Sequence, residues 1–333
     1  MNALKSLRFV SLQECRESAR GRALGRVLAL ASLAVAGCLA GCHEKPPPPA
    51  RSATPERVTV AREDEPTPLA STTAHRARVG HGAELYLPPW FHARRGGYDL
   101  VVHFHGMREL QEKNLEQVQL DAAVVSVNLG VGTDPYAAAF RDPKVFTKLL
   151  EDVDAEIARS GRAPGAHRRR LALSAWSAGF VSAQRVLASK ELAAQVDAVL
   201  LADGFFTSYA NLEKKTINTE SLLPFVDLAA AATRGEKLFV ITHTAIPTTG
   251  YPSVTDTVAK LLELASLERV PSNGEVGSRH LQRTYAVDKG DLHIHGYAGV
   301  TATDHINQIR AMGETVYPYL RDRWNKDAPR AAR

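Results

Sequence analysis

Residues 171–180 read Leu171-Ala172-Leu173-Ser174-Ala175-Trp176-Ser177-Ala178-Gly179-Phe180. An apolar run enters a cluster of small residues, and a mixed segment, residues 180–188, leaves it. The first predicts a buried strand and the second a helix, so Ser177 falls on a tight strand-to-helix turn. A serine held in a strained turn needs small residues two positions to either side, and Ala175 and Gly179 meet that need. The helix start beneath the turn offers unpaired N–H groups and a partial positive charge. Ser174 lies inside the strand and reads as structural. A turn without chemistry is the alternative for Ser177.

Working outward, strand and helix patterns alternate. Strands are expected over residues 83–87, 98–105, 122–128, 196–202 and 237–242, and helices over 144–157, 222–232, 255–264 and 305–323. Within the first of these helices Val145, Leu149, Val153 and Ile157 recur at helical spacing. Near the end, residues 281–287 and 292–297 are extended segments about the turn Asp288-Lys289-Gly290-Asp291, preceded by a Gly/Ser/Asn loop. This alternation predicts an α/β fold, a mostly parallel central sheet with helices on both faces, in one domain over residues 78–325. Residues 326–333 read as a frayed basic tail. The run Arg168-Arg169-Arg170 reads as a solvated loop or strand entrance, and without interleaved aromatics it gives no nucleic-acid signature.

Ala175-x-Ser177-x-Gly179 between a strand and a helix resembles the nucleophile elbow of the α/β-hydrolase superfamily, with Ala in place of the first Gly. The strand ending His103-Phe104-His105-Gly106-Met107 resembles a second feature of that superfamily, a His-Gly pair after an early central strand. The resemblance covers nearly all of residues 78–325. It implies a serine hydrolase of the esterase or lipase kind without a cofactor. The backbone N–H groups of Met107 and Ala178 would face the oxyanion, with Gly106, Gly179 and His105 supporting the loop.

A serine nucleophile requires a base, and the base requires a group that orients it. The resemblance implies the chain order Ser, acid, His. His305, in Ala302-Thr303-Asp304-His305-Ile306, follows the last strand and is the first candidate base; His295, inside that strand with His293, is the second. Asp203 ends the strand 196–202, at the same sheet edge as Ser177, and is the first candidate acid. Most members of the superfamily carry the acid one strand later, where this chain reads His243-Thr244-Ala245-Ile246-Pro247 and offers no carboxylate before Asp256. Asp256, at a helix start, is the second candidate. His243 is expected to line the site.

The chain has 333 residues, 44% hydrophobic, and a formal net charge of +5. Its three cysteines, Cys15, Cys38 and Cys42, all precede residue 43, which excludes thiol chemistry, disulfides and cysteine-ligated zinc from the body. A basic segment, residues 1–26, leads into an apolar run, residues 27–39, of a length suited to a signal peptide. Leu39-Ala40-Gly41-Cys42 resembles a bacterial lipobox; Val35-Ala36-Gly37-Cys38 fits less well. The expectation is a signal peptide over residues 1–42, lipidation at Cys42, a Pro-rich tether over residues 43–77 and a protein anchored by lipid in the cell envelope. The substrate pool is then extracytoplasmic, small-molecule or polymeric acyl compounds. The segment 205–236 is short for a cap and predicts an open site.

Two other classes compete. His103-x-His105 and His293-x-His295 each resemble the paired histidines of amidohydrolases, where two imidazoles on one strand share a metal. A lipoprotein on a hydrolase fold that has lost its chemistry is the other.

Overall fold

The computed structural model describes residues 73–94 and 96–326, all within the compact unit Ala70–Arg333. The expected signal peptide, the cysteine at position 42, the tether up to residue 72 and the tail after Lys326 lie outside the described residues.

Twelve strands are described: β1 His75–Val79, β2 Ala83–Leu87, β3 Gly97–Phe104, β4 Ala123–Val127, β5 His167–Trp176, β6 Val196–Ala202, β7 Tyr209–Asn211, β8 Thr216–Ile217, β9 Leu238–His243, β10 Val270–Val276, β11 Leu281–Lys289 and β12 Leu292–Tyr297. Ten of them form one sheet in the order β1-β2-β4-β3-β5-β6-β9-β12-β11-β10, with β7 and β8 paired separately. From β4 through β12 all neighbours are parallel; β2 runs antiparallel to β1 and β4, and β11 and β10 extend the far side antiparallel. This is the α/β-hydrolase topology, with an early antiparallel strand, the β4-β3 exchange and the carboxyl ends of the parallel strands at one edge.

The middle strands are buried almost throughout and mostly apolar because both their faces are covered. On one face Val102, Phe104, Leu173 and Leu201 pack with Phe146 and Phe180, which come from the helices Pro143–Arg159 and Phe180–Leu187. On the other, Val101, Leu200 and Val240 pack with Leu115, Met312 and Leu320 from the helices Arg108–Val118, Met312–Thr315 and Tyr317–Lys326. At the amino edge buried Asp99 accepts hydrogen bonds from Arg169 (2.9 Å) and Arg170 (3.0 Å), and Arg168 pairs with Asp154. The basic run is thus a set of ion pairs at the entrance of β5.

Several local expectations differ from the structure. The sheet begins at His75, three residues before the expected domain start, because alternate residues of His75–Val79 point outward and keep its charges in water. The Gly/Ser/Asn stretch expected as a loop contains β10, an edge strand with a bulge between Pro271 and Gly274; it buries no face, so it carries no apolar alternation. The helix Arg108–Val118 was not anticipated, since half of its buried face is polar, Gln111 and Asn114. The last helix is three: Ala302–Arg310, Met312–Thr315 and Tyr317–Lys326. Pro318 cannot donate to a preceding turn. Buried Asn114 serves the first break, donating to the Ile309 carbonyl and accepting from the Gly313 amide.

Candidate active site

Three residues at the carboxyl edge of the sheet are held with positive φ although none is glycine: His105 (71°) after β3, Ser177 (51°) after β5 and Asp203 (46°) after β6. Such backbone is strained for a residue with a side chain, and it persists only where surrounding packing imposes it. At Ser177 that packing is identifiable. A Cβ on Gly179 would lie 2.1 Å from the Phe104 carbonyl oxygen, so the turn sits directly against the end of β3. From the other side a Cβ on Gly204 would lie 2.7 Å from both the backbone N and O of Ser177.

His305 arrives from the opposite end of the chain. It stands on the helix Ala302–Arg310, whose start is fixed by a reciprocal cap: Thr301 Oγ1 accepts from the Asp304 amide, and the Asp304 carboxylate accepts from the Thr301 amide. His305 Nε2 lies 2.8 Å from Ser177 Oγ, and His305 Nδ1 lies 2.7 Å from Asp203 Oδ2. An ionised carboxylate only accepts, so the proton belongs on Nδ1 and Nε2 is left to accept from the serine hydroxyl. Asp203, 2% exposed, also accepts from the Thr244 amide (2.9 Å) and from Thr244 Oγ1 (2.8 Å). The arrangement can draw a proton from Ser177 and hold the resulting imidazolium against a fixed anion.

The other candidates are placed elsewhere. Asp256 accepts from Ser253 in the cap of the helix Val254–Leu264. His295 and His293 both bond to Asp288. His243 is buried, bonded to the Thr244 carbonyl and the Tyr285 hydroxyl, and burial pushes its pKa down. It backs Thr244, and both its ring nitrogens are engaged by these partners.

His105 bonds through Nδ1 to the Tyr136 hydroxyl (2.8 Å), and burial lowers its pKa to about 4. His103 holds the loop itself, with Nε2 2.8 Å from the His105 carbonyl and Nδ1 2.9 Å from Ser174 Oγ. With both nitrogens of His103 engaged, this pair is not arranged as a metal pair. Among the described residues no group of three or more His, Cys, Asp or Glu side chains is disposed to hold a metal ion. Gly106 follows with φ of 114°, and Met107, 46% exposed, opens the helix Arg108–Val118 at the mouth of the loop.

Three residues of this site were not singled out in the sequence. Thr244 has no signal beyond following β9. Gly204 is flagged only by standing next to Asp203. Trp176 sits inside the elbow motif, at a position the motif leaves free. It stacks on His105 and on His305, and its indole N–H donates to the His305 carbonyl.

No protein-family model matches the chain, and no curated protein matches it. Solved structures similar to it include esterases. One is a cold-adapted esterase from an Arctic intertidal metagenomic library (12% identity, TM-score 0.35, 73% of this chain and 92% of that one). Another is a feruloyl esterase module from Clostridium thermocellum (13% identity, TM-score 0.39, 74% and 86%). A third is the enterobactin esterase of Shigella flexneri (11% identity, TM-score 0.43, 76% and 59%).

Proposed function

We propose that the protein is a serine hydrolase, carboxylesterase-like, working through an acyl-enzyme. The observation that carries this reading is the continuous hydrogen-bonded line from Ser177 Oγ through His305 to Asp203, at a strained strand-to-helix turn. In the proposed reaction Ser177 Oγ bonds to the ester carbonyl carbon while its proton moves to His305 Nε2. The backbone N–H groups of Met107 and Ala178 accommodate the tetrahedral oxyanion. Collapse breaks the bond to the alcohol oxygen, which takes the proton from His305. Water then attacks the acyl-enzyme, gives its proton to His305, and the carboxylic acid leaves as Ser177 regains that proton.

For the setting, the support is the sequence alone. The lipobox-like Leu39-Ala40-Gly41-Cys42 and the Pro-rich stretch after it favour an envelope protein tethered by lipid, acting on extracytoplasmic esters. The test of the chemistry is fluorophosphonate labelling of the full chain, with mass-spectrometric mapping of the adduct. Stoichiometric labelling at Ser177, abolished in Ser177→Ala and His305→Ala, is the expected result. A folded protein that takes no label, or takes it elsewhere, overturns the reading.

A further inference from the structure

Trp176 is the last residue of β5, one position before the nucleophile. Its side chain leaves the sheet on the face that carries the helix Ala302–Arg310, since Ala172 in the same alternation packs with Ile309 of that helix. There its Nε1–H donates to the His305 carbonyl at 3.0 Å, and the two rings stack with centroids 4.6 Å apart at 30°. The same indole lies parallel to His105, 5.0 Å away at 7°. A residue that merely filled space would not require a hydrogen bond to the backbone of the base and contact with its ring at once.

We infer that Trp176 is a positioning residue for His305: the indole N–H fixes the backbone that carries the base, and the indole face receives the imidazolium formed when Ser177 is deprotonated. This rests on His305 being the base. An aromatic face attracts a cation and is nearly indifferent to a neutral ring, so it favours the charged state that accompanies the tetrahedral intermediate. The groups that face His305 are Ser177 after β5, Asp203 after β6 and His105 after β3; on its own helix Asp304 is engaged by Thr301. His105 is the one that could oppose the imidazolium. Burial keeps it neutral down to about pH 4, so it adds no second positive charge.

Two measurements on the full-length protein test the inference. The first is kcat and KM for p-nitrophenyl acetate across pH in wild type, Trp176→Phe and Trp176→Leu. Trp176→Leu should lose about 10-fold in kcat with KM within about twofold, and the acid limb of kcat/KM should move to lower pH. Trp176→Phe, which keeps a ring and loses the N–H, should fall between. The second needs no tryptophan variant, since a protonated imidazole quenches a stacked indole. Wild-type tryptophan emission should fall as pH drops through the acid limb, and the change should vanish in His305→Gln. A folded Trp176→Leu with unchanged kcat and acid limb overturns the inference, as does an emission change that survives in His305→Gln or is absent in wild type. Failure of wild type to label with fluorophosphonate would instead remove the serine-hydrolase reading, so the two failures are distinct.

Discussion

Replacing Gly204 with alanine tests how Ser177 is held. The new Cβ would stand 2.7 Å from the N and O of Ser177 and 3.2 Å from its Cα, all backbone atoms that cannot swing aside. Moving from 2.7 Å to an ordinary contact near 3.4 Å demands a displacement of about 0.7 Å between the two turns. Gly204 does not have positive φ, so alanine brings no dihedral strain there and the effect isolates packing. Misplacing a reacting group by about 1 Å costs about 100-fold. A partly relaxed shift of 0.7 Å then predicts a loss of about 10- to 100-fold in kcat/KM, or about 1.4–2.8 kcal/mol of transition-state stabilisation. Overpacking should also cost about 1–3 kcal/mol of stability, seen as a fall in Tm of several degrees. The assay is p-nitrophenyl acetate hydrolysis with the fluorophosphonate labelling rate. Gly274→Ala is the control, because nothing lies within 4 Å of its added Cβ. Gly204→Ala within twofold of wild type in labelling, kcat/KM and Tm would refute the claim that this glycine wedges the elbow.

Asp203→Asn keeps the shape but places a donor against either His305 Nδ1–H or the Thr244 donors; kcat should drop by about 10³–10⁴-fold with little change in KM, and a loss under tenfold would deny Asp203 an orienting role. Gln308 is fully buried, and neither amide atom has a hydrogen-bond partner among the described residues, so Gln308→Met should stabilise by about 1–2 kcal/mol; a lower Tm by calorimetry would contradict this. Burial lowers the pKa of His103 to about 3 and of His105 to about 4, and lowers that of His243. The unfolded chain takes up protons below about pH 6.5 that these folded histidines refuse, so stability is highest above that pH and falls toward pH 4, by up to about 1.4 kcal/mol per unit from each. Urea midpoints at pH 7.5, 6 and 5 read this directly, and a flat series would contradict it.

The alternation of strand and helix was legible because buried parallel strands are unbroken apolar runs and covering helices carry a periodic stripe. The elbow was legible for a related reason: a turn pressed between β3 and the loop after β6 tolerates only small residues, and Ala175, Ala178 and Gly179 declare it. What escaped notice shares a different property. The helix Arg108–Val118 buries Gln111 and Asn114, and β10 buries almost nothing, so neither shows a hydrophobic period. Thr244 acts through a hydroxyl and an amide aimed at Asp203, and a single threonine after a strand looks like any other. Trp176 could have been suspected on one ground: a large aromatic beside residues chosen for smallness needs a reason to be there. The paired histidines suggested a metal from spacing alone, whereas their partners depend on pairing and turns: Ser174 reaches His103 from a strand far away in the chain, the His105 carbonyl turns back on His103, and Asp288 meets His293 and His295 across the β11–β12 hairpin.

The hydrogen bonds that define the site span 102 residues between Asp203 and His305 and 128 between Ser177 and His305. Non-local contacts of that range form late in folding, after their loop-closure entropy has been met. They also depend on a helix, Ala302–Arg310, that follows every described strand in the chain. Until that helix is made, Ser177 and its turn stand without the hydrogen bond to His305. The line from Ser177 through His305 to Asp203 closes only when the helix beyond β12 has docked. Under the proposed chemistry, the onset of reactivity toward a serine probe would serve as a clock for that docking event in refolding.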